Sequence, residues 1–400
     1  MVFFRSFSRL QAGGLARALL LWMGFLDEFL TGFPTIALPL LRDQLSLGYA
    51  QIGFLFTAAT LAGMVIDPFV NLLSDRAAKK PWILGGLWLL ALTSALMGLI
   101  NNYVLLLLIF MVWYPANGAG VGLAQAVLID GAPADGTRTM TRWTLLSSVG
   151  DFLSPLIVAA FVSAGLGWST LSWLAAALWC AAALVLAPLR FPARGGQAEV
   201  DEDEERVSIW TTLRAAVRDP LLLRWSALTL IPTMLDEIFL GFVALYLRDV
   251  LHLDEALIAL ILTLQMAASF LGLFLLDLLL KRRQLATVRT LFWLSLVTLL
   301  GVVGVLAVHV LWFVVMALLV VSFCSAAWYP LAHAEAYACR PVSSGTVRTV
   351  IGLGAPLEMA LPGVVGLVAA NAGILAGLGM LSLAPVLMLA LLPYRQRRSS

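Results

Sequence analysis

Six carboxylates stand inside long apolar runs of this sequence: Asp27 and Glu28, Asp151, Asp236 and Glu237, and Glu358. An acid at the centre of a membrane helix costs about 2.5–3.5 kcal/mol on insertion scales, and such residues mark functional sites by default. Low dielectric and nearby like charges both disfavour the ionised form, and acids grouped in this way titrate as a set. The chemistry available to them is to take up and release protons. No Lys or Arg is expected at the same depth, because Arg142 and Arg348 fall at the starts of their apolar runs. An acidic interior without cationic anchors disfavours phosphates and carboxylates. It favours cations, amphiphilic amines, or neutral molecules exchanged for protons.

Adjacent helix residues point about 100° apart, so one member of each Asp–Glu pair is expected to face a central cavity and the other a neighbouring helix. Thr31 shares a face with Asp27, and Gly32 and Gly241 follow Glu28 and Glu237 by four residues. On one helix face this leaves room for a ligand or for close approach of another helix. Trp113, Tyr114 and Asn117, with Trp328, Tyr329, His333 and Glu335, are further cavity-lining candidates. The aromatic rings beside prolines can stack on an aromatic or cationic solute, and His333 can relay protons; packing at a proline kink is the competing role. Asp67, before Pro68, and Asp130 read as helix-end or gate residues.

The elements that must carry these residues follow from composition. Of 400 residues, 61% are hydrophobic and 12% charged, against about 45–50% and about 25% in a soluble domain. With a mean hydropathy of +0.96, an ordinary soluble enzyme and a disordered chain are both excluded. About 20 apolar residues cross a bilayer as a helix, and twelve such runs are predicted, at 16–41, 49–73, 82–100, 103–127, 142–164, 168–189, 222–247, 255–278, 290–308, 311–336, 348–370 and 373–393. With both termini on the cytoplasmic side, 23 of the 25 Lys and Arg fall on inside segments and two, Arg42 and Arg248, outside, the asymmetry the positive-inside rule requires. The three cysteines, Cys180, Cys324 and Cys339, form neither a disulfide framework nor a metal spacing.

The polar stretch Arg190 to Arg218 contains the acidic run Asp201 to Glu205 and an amphipathic piece with Ile209, Trp210, Leu213 and Val217. It divides the chain into a six-helix bundle over 1–189, a cytoplasmic linker over 190–220 and a second bundle over 221–400. The halves repeat. Leu26-Asp27-Glu28-Phe29-Leu30-Thr31-Gly32-Phe33 matches Leu235-Asp236-Glu237-Ile238-Phe239-Leu240-Gly241-Phe242. Trp113-Tyr114-Pro115 recurs as Trp328-Tyr329-Pro330, and Asp151-x-x-x-Pro155 as Glu358-x-x-x-Pro362. Parallel six-span repeats are a transporter architecture, with the site near midplane between the halves.

The segment Asn71-Leu72-Leu73-Ser74-Asp75-Arg76-Ala77-Ala78-Lys79-Lys80-Pro81-Trp82-Ile83 resembles the loop 2–3 motif of the major facilitator superfamily, G-x-L-[AS]-D-R-x-G-R-[RK]-x-x-[LI]. Lys79 stands where Arg is usual, and Asn71 and Ala78 replace both glycines. The resemblance implies an all-α polytopic membrane protein with twelve transmembrane helices in two pseudo-symmetric six-helix bundles, and a cytoplasmic gate at Asp75, Arg76, Lys79 and Lys80. The second-half counterpart around Asp277 is degenerate. Gly150-x-x-x-Ser154-Pro155 resembles a fragment of the antiporter-associated G-x-x-x-G-P motif.

The expected function is alternating-access secondary transport: proton-coupled antiport, outward, of a small cationic or neutral amphiphilic organic solute, with sodium left open as coupling ion. Alternatives are a divalent-cation transporter using the same carboxylates, a lipid or lysolipid transporter, and a membrane sensor on a transporter fold. No GxSxG, HExxH or GxGD signature points to an enzyme. The expected setting is the plasma (inner) membrane with both termini cytoplasmic. The expected protein is a monomer with a small-molecule substrate and the lipid bilayer as partners, and no cofactor, metal site or nucleic acid.

Overall fold

The structure is a computed structural model of the 400-residue chain. It describes residues 2–393 apart from 48, 77, 132–134, 192–208, 236, 254, 283–284 and 342, and describes only the backbone of 2–13, 38–39, 42–43, 49–50, 53, 209–210, 237, 255–256 and 259. Asp236 and the acidic run Asp201 to Glu205 therefore lie outside the described residues, as does the side chain of Glu237.

Among the described residues, twelve helices are long and apolar enough to cross a membrane. In chain order they are spans 1 to 12: Gly14–Ile36, Phe54–Arg76, Lys79–Leu99, Tyr103–Asp130, Gly136–Ser163, Trp168–Leu186, Pro220–Asp249, Leu260–Arg282, Thr287–Ala307, Leu311–Ala338, Ser344–Ala372 and Ile374–Leu391. In lipid every backbone polar group must be satisfied within the segment, which a helix achieves by itself. Large apolar side chains left exposed, such as Trp312 (70%), Leu300 (65%) and Leu367 (67%), are the ones lipid would cover. Helix starts follow local chemistry. Asn102 caps span 4 by accepting from the amides of Val104 and Leu105 at 2.9 and 3.2 Å, and Asp219 caps span 7 ahead of Pro220.

Spans 5 and 11 begin earlier than the apolar runs, at Gly136 and Ser344. Arg142 and Arg348 are thus inside helices, one turn or more past the start, rather than at the entrance. Several spans are interrupted. Span 4 passes through a π-helical turn, Gly118–Gly122, between the helices Tyr103–Asn117 and Leu123–Asp130. Span 11 comprises the helices Ser344–Gly352 and Ala355–Ala372, separated by a turn at Leu353 and Gly354.

The chain forms two compact units. The first contains residues 1–135, 143–212 and 340–349. Its core is built on Phe33, Phe110, Trp179 and Leu20, all enclosed. Small residues set its closest helix crossings. A Cβ on Gly86 of span 3 would overlap the Gly120 backbone of the π turn, and one on Gly150 of span 5 would overlap the Phe25 carbonyl of span 1. Lys80 donates to the carbonyls of Ala187 and Leu189 at 2.6 and 2.8 Å, closing the end of span 6.

The second unit contains 136–142, 213–339 and 350–400. Trp225, Tyr246, Phe239 and Trp328 are its enclosed large side chains. Gly272 of span 8 abuts the Phe323 carbonyl of span 10, and Gln265 donates to Ser322 at 3.3 Å. Arg224 donates to the carbonyls of Leu391 and Ala390 at the end of span 12.

Candidate functional site

At one end of the first unit, the residues singled out by the loop 2–3 motif close around the start of span 11. Asp75 accepts from the backbone amides of Gly345 (2.9 Å) and Thr346 (2.6 Å) and from the Thr346 hydroxyl (2.8 Å). A carboxylate on free amides at a helix N-terminus is favoured by both hydrogen bonding and the helix dipole. Lys79, almost enclosed, bridges Asp75 at 3.2 Å and Asp130 at 2.6 Å, and donates to Ser344 Oγ at 2.5 Å. Ser344 in turn donates to Asp130 at 2.8 Å. Gly345 is sterically required, since a Cβ there would overlap the Asn71 carbonyl. Lys79 and Asp75 thus belong to one polar cluster with Asp130, whereas Lys80 caps span 6 and Arg76 is exposed.

The second unit has a counterpart. Asp277 of span 8 accepts from Arg138 Nε at 3.2 Å and Arg142 Nε at 3.0 Å, at the start of span 5. The motif around Asp277 is degenerate in sequence, but its acid still holds the start of a helix. Here the donors are partly exposed guanidinium groups rather than backbone amides.

Deeper in the first unit lies a second cluster. Asn117 Nδ2 donates to Asp27 Oδ1 at 2.9 Å, joining span 4 to span 1. The π turn that follows Asn117 exposes its glycines to charge. A Cβ on Gly118 would come within 2.7 Å of the Asp67 carboxylate, and one on Gly122 would overlap the Arg348 guanidinium. Arg348 makes no hydrogen bond or ion pair with any described residue, yet it acts electrostatically on both Asp27 and Asp67. Asp67 Oδ1 and Asn117 Oδ1 are buried with no hydrogen-bond partner among the described residues. π-helical turns occur frequently at functional sites, and this one lets two acids, an amide and a guanidinium share a small volume. The expectation of an interior without a basic group is corrected. An arginine on the second turn of span 11 reaches inward where the apolar-run count put it at the entrance.

The remaining candidates fall as follows. Thr31 donates to the Asp27 carbonyl of its own helix at 2.8 Å. Gly32 abuts Ser154 of span 5, with a Cβ position 2.6 Å from its hydroxyl, while a Cβ on the repeat-related Gly241 would meet nothing within 4 Å. Gly150 and Ser154 therefore serve close packing of span 1 on span 5. Glu28 lies on that same seam, beside Gly150, and Asp151 is exposed. Trp113 is buried against Phe110, Trp328 is fully enclosed, and Tyr114 is 40% exposed beside Gly63. Tyr329 and His333 stack, with ring centres 3.9 Å apart, and His333 Nδ1 lies 3.1 Å from the Tyr329 carbonyl. Glu335 is half-buried one turn below Leu331. Glu358 accepts from Thr233 at 3.2 Å in the second unit. Asp67 and Arg348, read from the sequence as a helix-end or gate residue and an entrance residue, belong to this cluster; the small-residue stretch Gly118-Ala119-Gly120-Val121-Gly122 is the signal that marks the place. Among the described residues, no three His, Cys, Asp or Glu side chains group as a metal site.

Twelve spans, interrupted helices and polar groups at membrane depth define a secondary-transporter architecture. The chain belongs to the Major Facilitator Superfamily, whose profile matches residues 20–366. It is an integral membrane protein of a family of transporters, not enzymes. No curated protein matches the sequence significantly. Among solved structures, the fold is similar to that of a variant of the Escherichia coli fucose:proton symporter FucP, with a TM-score of 0.78 and 17% identity, covering 96% of this chain and 99% of that one. FucP in the outward conformation gives 0.73 and 18%, covering 95% and 98%. The human organic anion transporter MFSD10 (TETRAN) gives 0.71 and 18%, covering 94% and 98%.

Proposed function

We propose that this secondary transporter is proton-coupled and exchanges protons for a small cationic or neutral amphiphilic organic solute, moving it outward across the plasma (inner) membrane. The observation that carries this reading is Asp27, an acid about halfway along span 1, bonded to the neutral Asn117 rather than to a salt-bridge partner. Such a carboxyl can exchange a proton without first breaking an ion pair. The other acids of the set, Glu28, Asp151, Asp236, Glu237 and Glu358, belong to the same reading, as does the division into bundles at 1–189 and 221–400. The Asp75–Lys79–Asp130 cluster acts as the cytoplasmic gate. FucP, a fucose:proton symporter, supports proton coupling in this fold but runs substrate and proton the same way.

The test is reconstitution in proteoliposomes with an imposed pH gradient and a trapped pH dye, using ethidium as the cationic probe. Ethidium-dependent proton flux that disappears in Asp27→Asn with expression intact is the expected result. Flux unchanged by Asp27→Asn, or no proton movement with any probe, refutes the assignment. A second reading, transport of an organic anion, draws on Arg348 as a cationic anchor beside the acids and on the organic anion transporter MFSD10. Fluorescein in place of ethidium in the same assay separates the two.

A further inference from the structure

Four features of span 11 bear on how a proton would move the gate. Its first helix, Ser344–Gly352, has nine residues and stops at the Leu353–Gly354 turn. Helices shorter than about 12–15 residues are marginal by themselves, so this one stays seated through its tertiary contacts. Its N-terminus is fastened by Asp75, Lys79 and Asp130. Arg348 follows Ser344 by four residues, on the same face, and rests on Gly122 in the field of Asp67 and Asp27.

The two fastenings differ physically. The amides on Asp75 are hydrogen-bonded directly. Arg348 rests on Gly122 and interacts with Asp67 and Asp27 through space, and that electrostatic part of its hold exists only while the acids are charged. The repeat sharpens the contrast. By the Trp113-Tyr114-Pro115 and Trp328-Tyr329-Pro330 register, Gly118 and Gly122 correspond to His333 and Tyr337. At these matching positions the second unit carries two buried side chains, where the first leaves room for a carboxylate and a guanidinium.

We propose that Arg348 is the positioning residue that ties the charge of the membrane-depth acids to the gate. Its guanidinium, seated on Gly122 and drawn by Asp67 and Asp27, holds the helix Ser344–Gly352 down. Neutralising those acids removes the attraction, and the short helix lifts from Asp75 about its Leu353–Gly354 turn. Within the first unit, the titratable groups facing this assembly are Asp27 on span 1, Asp67 and Asp75 on span 2, Lys79 on span 3 and Asp130 on span 4. Glu28 turns to the span 5 seam. The proposal rests on the proton-coupled reading above, and its test separates the two.

The experiment is hydrogen–deuterium exchange of the full-length protein in lipid nanodiscs, following the peptide over Ser344–Gly352 at about pH 8 and about pH 5.5, corrected for intrinsic exchange. In the unmodified protein, protection falls roughly tenfold on acidification, the effect of a pKa difference of about one unit between the seated and lifted states. In Arg348→Gln, protection is low at both values and the step disappears; in Asp67→Asn, which leaves Asp27 in place, the step is reduced. Arg348→Lys keeps the charge and restores most of the step. Gly122→Ala retains Arg348 but puts a methyl group where its guanidinium sits; the guanidinium is the mobile end of a flexible side chain, so the fold accommodates the change while the step is lost. A step within twofold of the unmodified protein in Arg348→Gln or Gly122→Ala overturns the proposal and leaves proton coupling standing. No step in the unmodified protein, together with no proton flux in proteoliposomes, overturns both.

Discussion

Replacing Asp75 by asparagine tests the proposed gate most directly. The substitution keeps shape and removes one charge. Asp75 uses both carboxylate oxygens as acceptors, one for the Gly345 amide and Lys79, the other for the Thr346 amide and hydroxyl. An asparagine has one acceptor oxygen. Either way round, its amide nitrogen faces a backbone N–H, and one buried amide loses its partner. A hydrogen bond to a charged group contributes about 1.5–3 kcal/mol, and a negative charge at a helix N-terminus about 0.3–1 kcal/mol. The loss is therefore about 2–4 kcal/mol, which at about 1.4 kcal/mol per decade raises the released fraction of the Ser344–Gly352 helix about thirty- to several-hundred-fold. Val347, completely enclosed on that helix and outside the polar cluster, supplies the reporter. In a background with Cys180, Cys324 and Cys339 replaced, Val347→Cys is labelled by a maleimide only when the helix lifts. Asp75→Asn is expected to raise the labelling rate by at least tenfold. A rate within twofold of the parent shows that these hydrogen bonds do not hold the helix, and the reasoning fails.

Three further outcomes are expected. Gly86→Ala forces a methyl group into the backbone of the π turn, which cannot swing aside as a side chain can. A loss of about 2–3 kcal/mol is expected, visible as a lower melting temperature by fluorescence-detected size exclusion, and unchanged melting refutes the close crossing. Gly32→Ala and Gly241→Ala should differ in sign. The first presses on Ser154, whereas the second meets open space and gains about 0.5–1 kcal/mol of helix stability, so equal melting shifts contradict the asymmetry. Asp277→Asn loses two partly exposed arginine contacts, each worth about 0–1 kcal/mol. Its destabilisation should vanish in about 1 M salt, where screening acts within about 3 Å, while that of Asp75→Asn persists.

The twelve spans were legible because lipid demands long apolar runs, and the cluster at Asp75, Lys79 and Asp130 because charged residues at span ends stand out against them. Even the two-residue gap between the runs 290–308 and 311–336 appears as a break between Ala307 and Leu311. The deeper cluster was less legible. Apolar runs end at the first charge, so Arg348 was counted as an entrance residue, although span 11 starts four residues earlier. Asp67 was discounted for its place before Pro68, which span 2 carries inside its helix. The repeated Trp-Tyr-Pro triplets locate a helix distortion, but a sequence does not say which way a ring turns. Trp328 turns fully into the core while Tyr114 is exposed beside Gly63. Hydroxyl groups are similarly ambiguous: Thr31 bonds its own backbone.

The unequal filling of matching positions gives the two repeats a different exposure to charge. Gly118 and Gly122 sit against ionic side chains, whereas an imidazole and a phenol stand at 333 and 337, so on the proposed mechanism acidification would loosen the first repeat and leave the second packed. Exchanging these short stretches between the repeats would be expected to move that sensitivity from one half to the other.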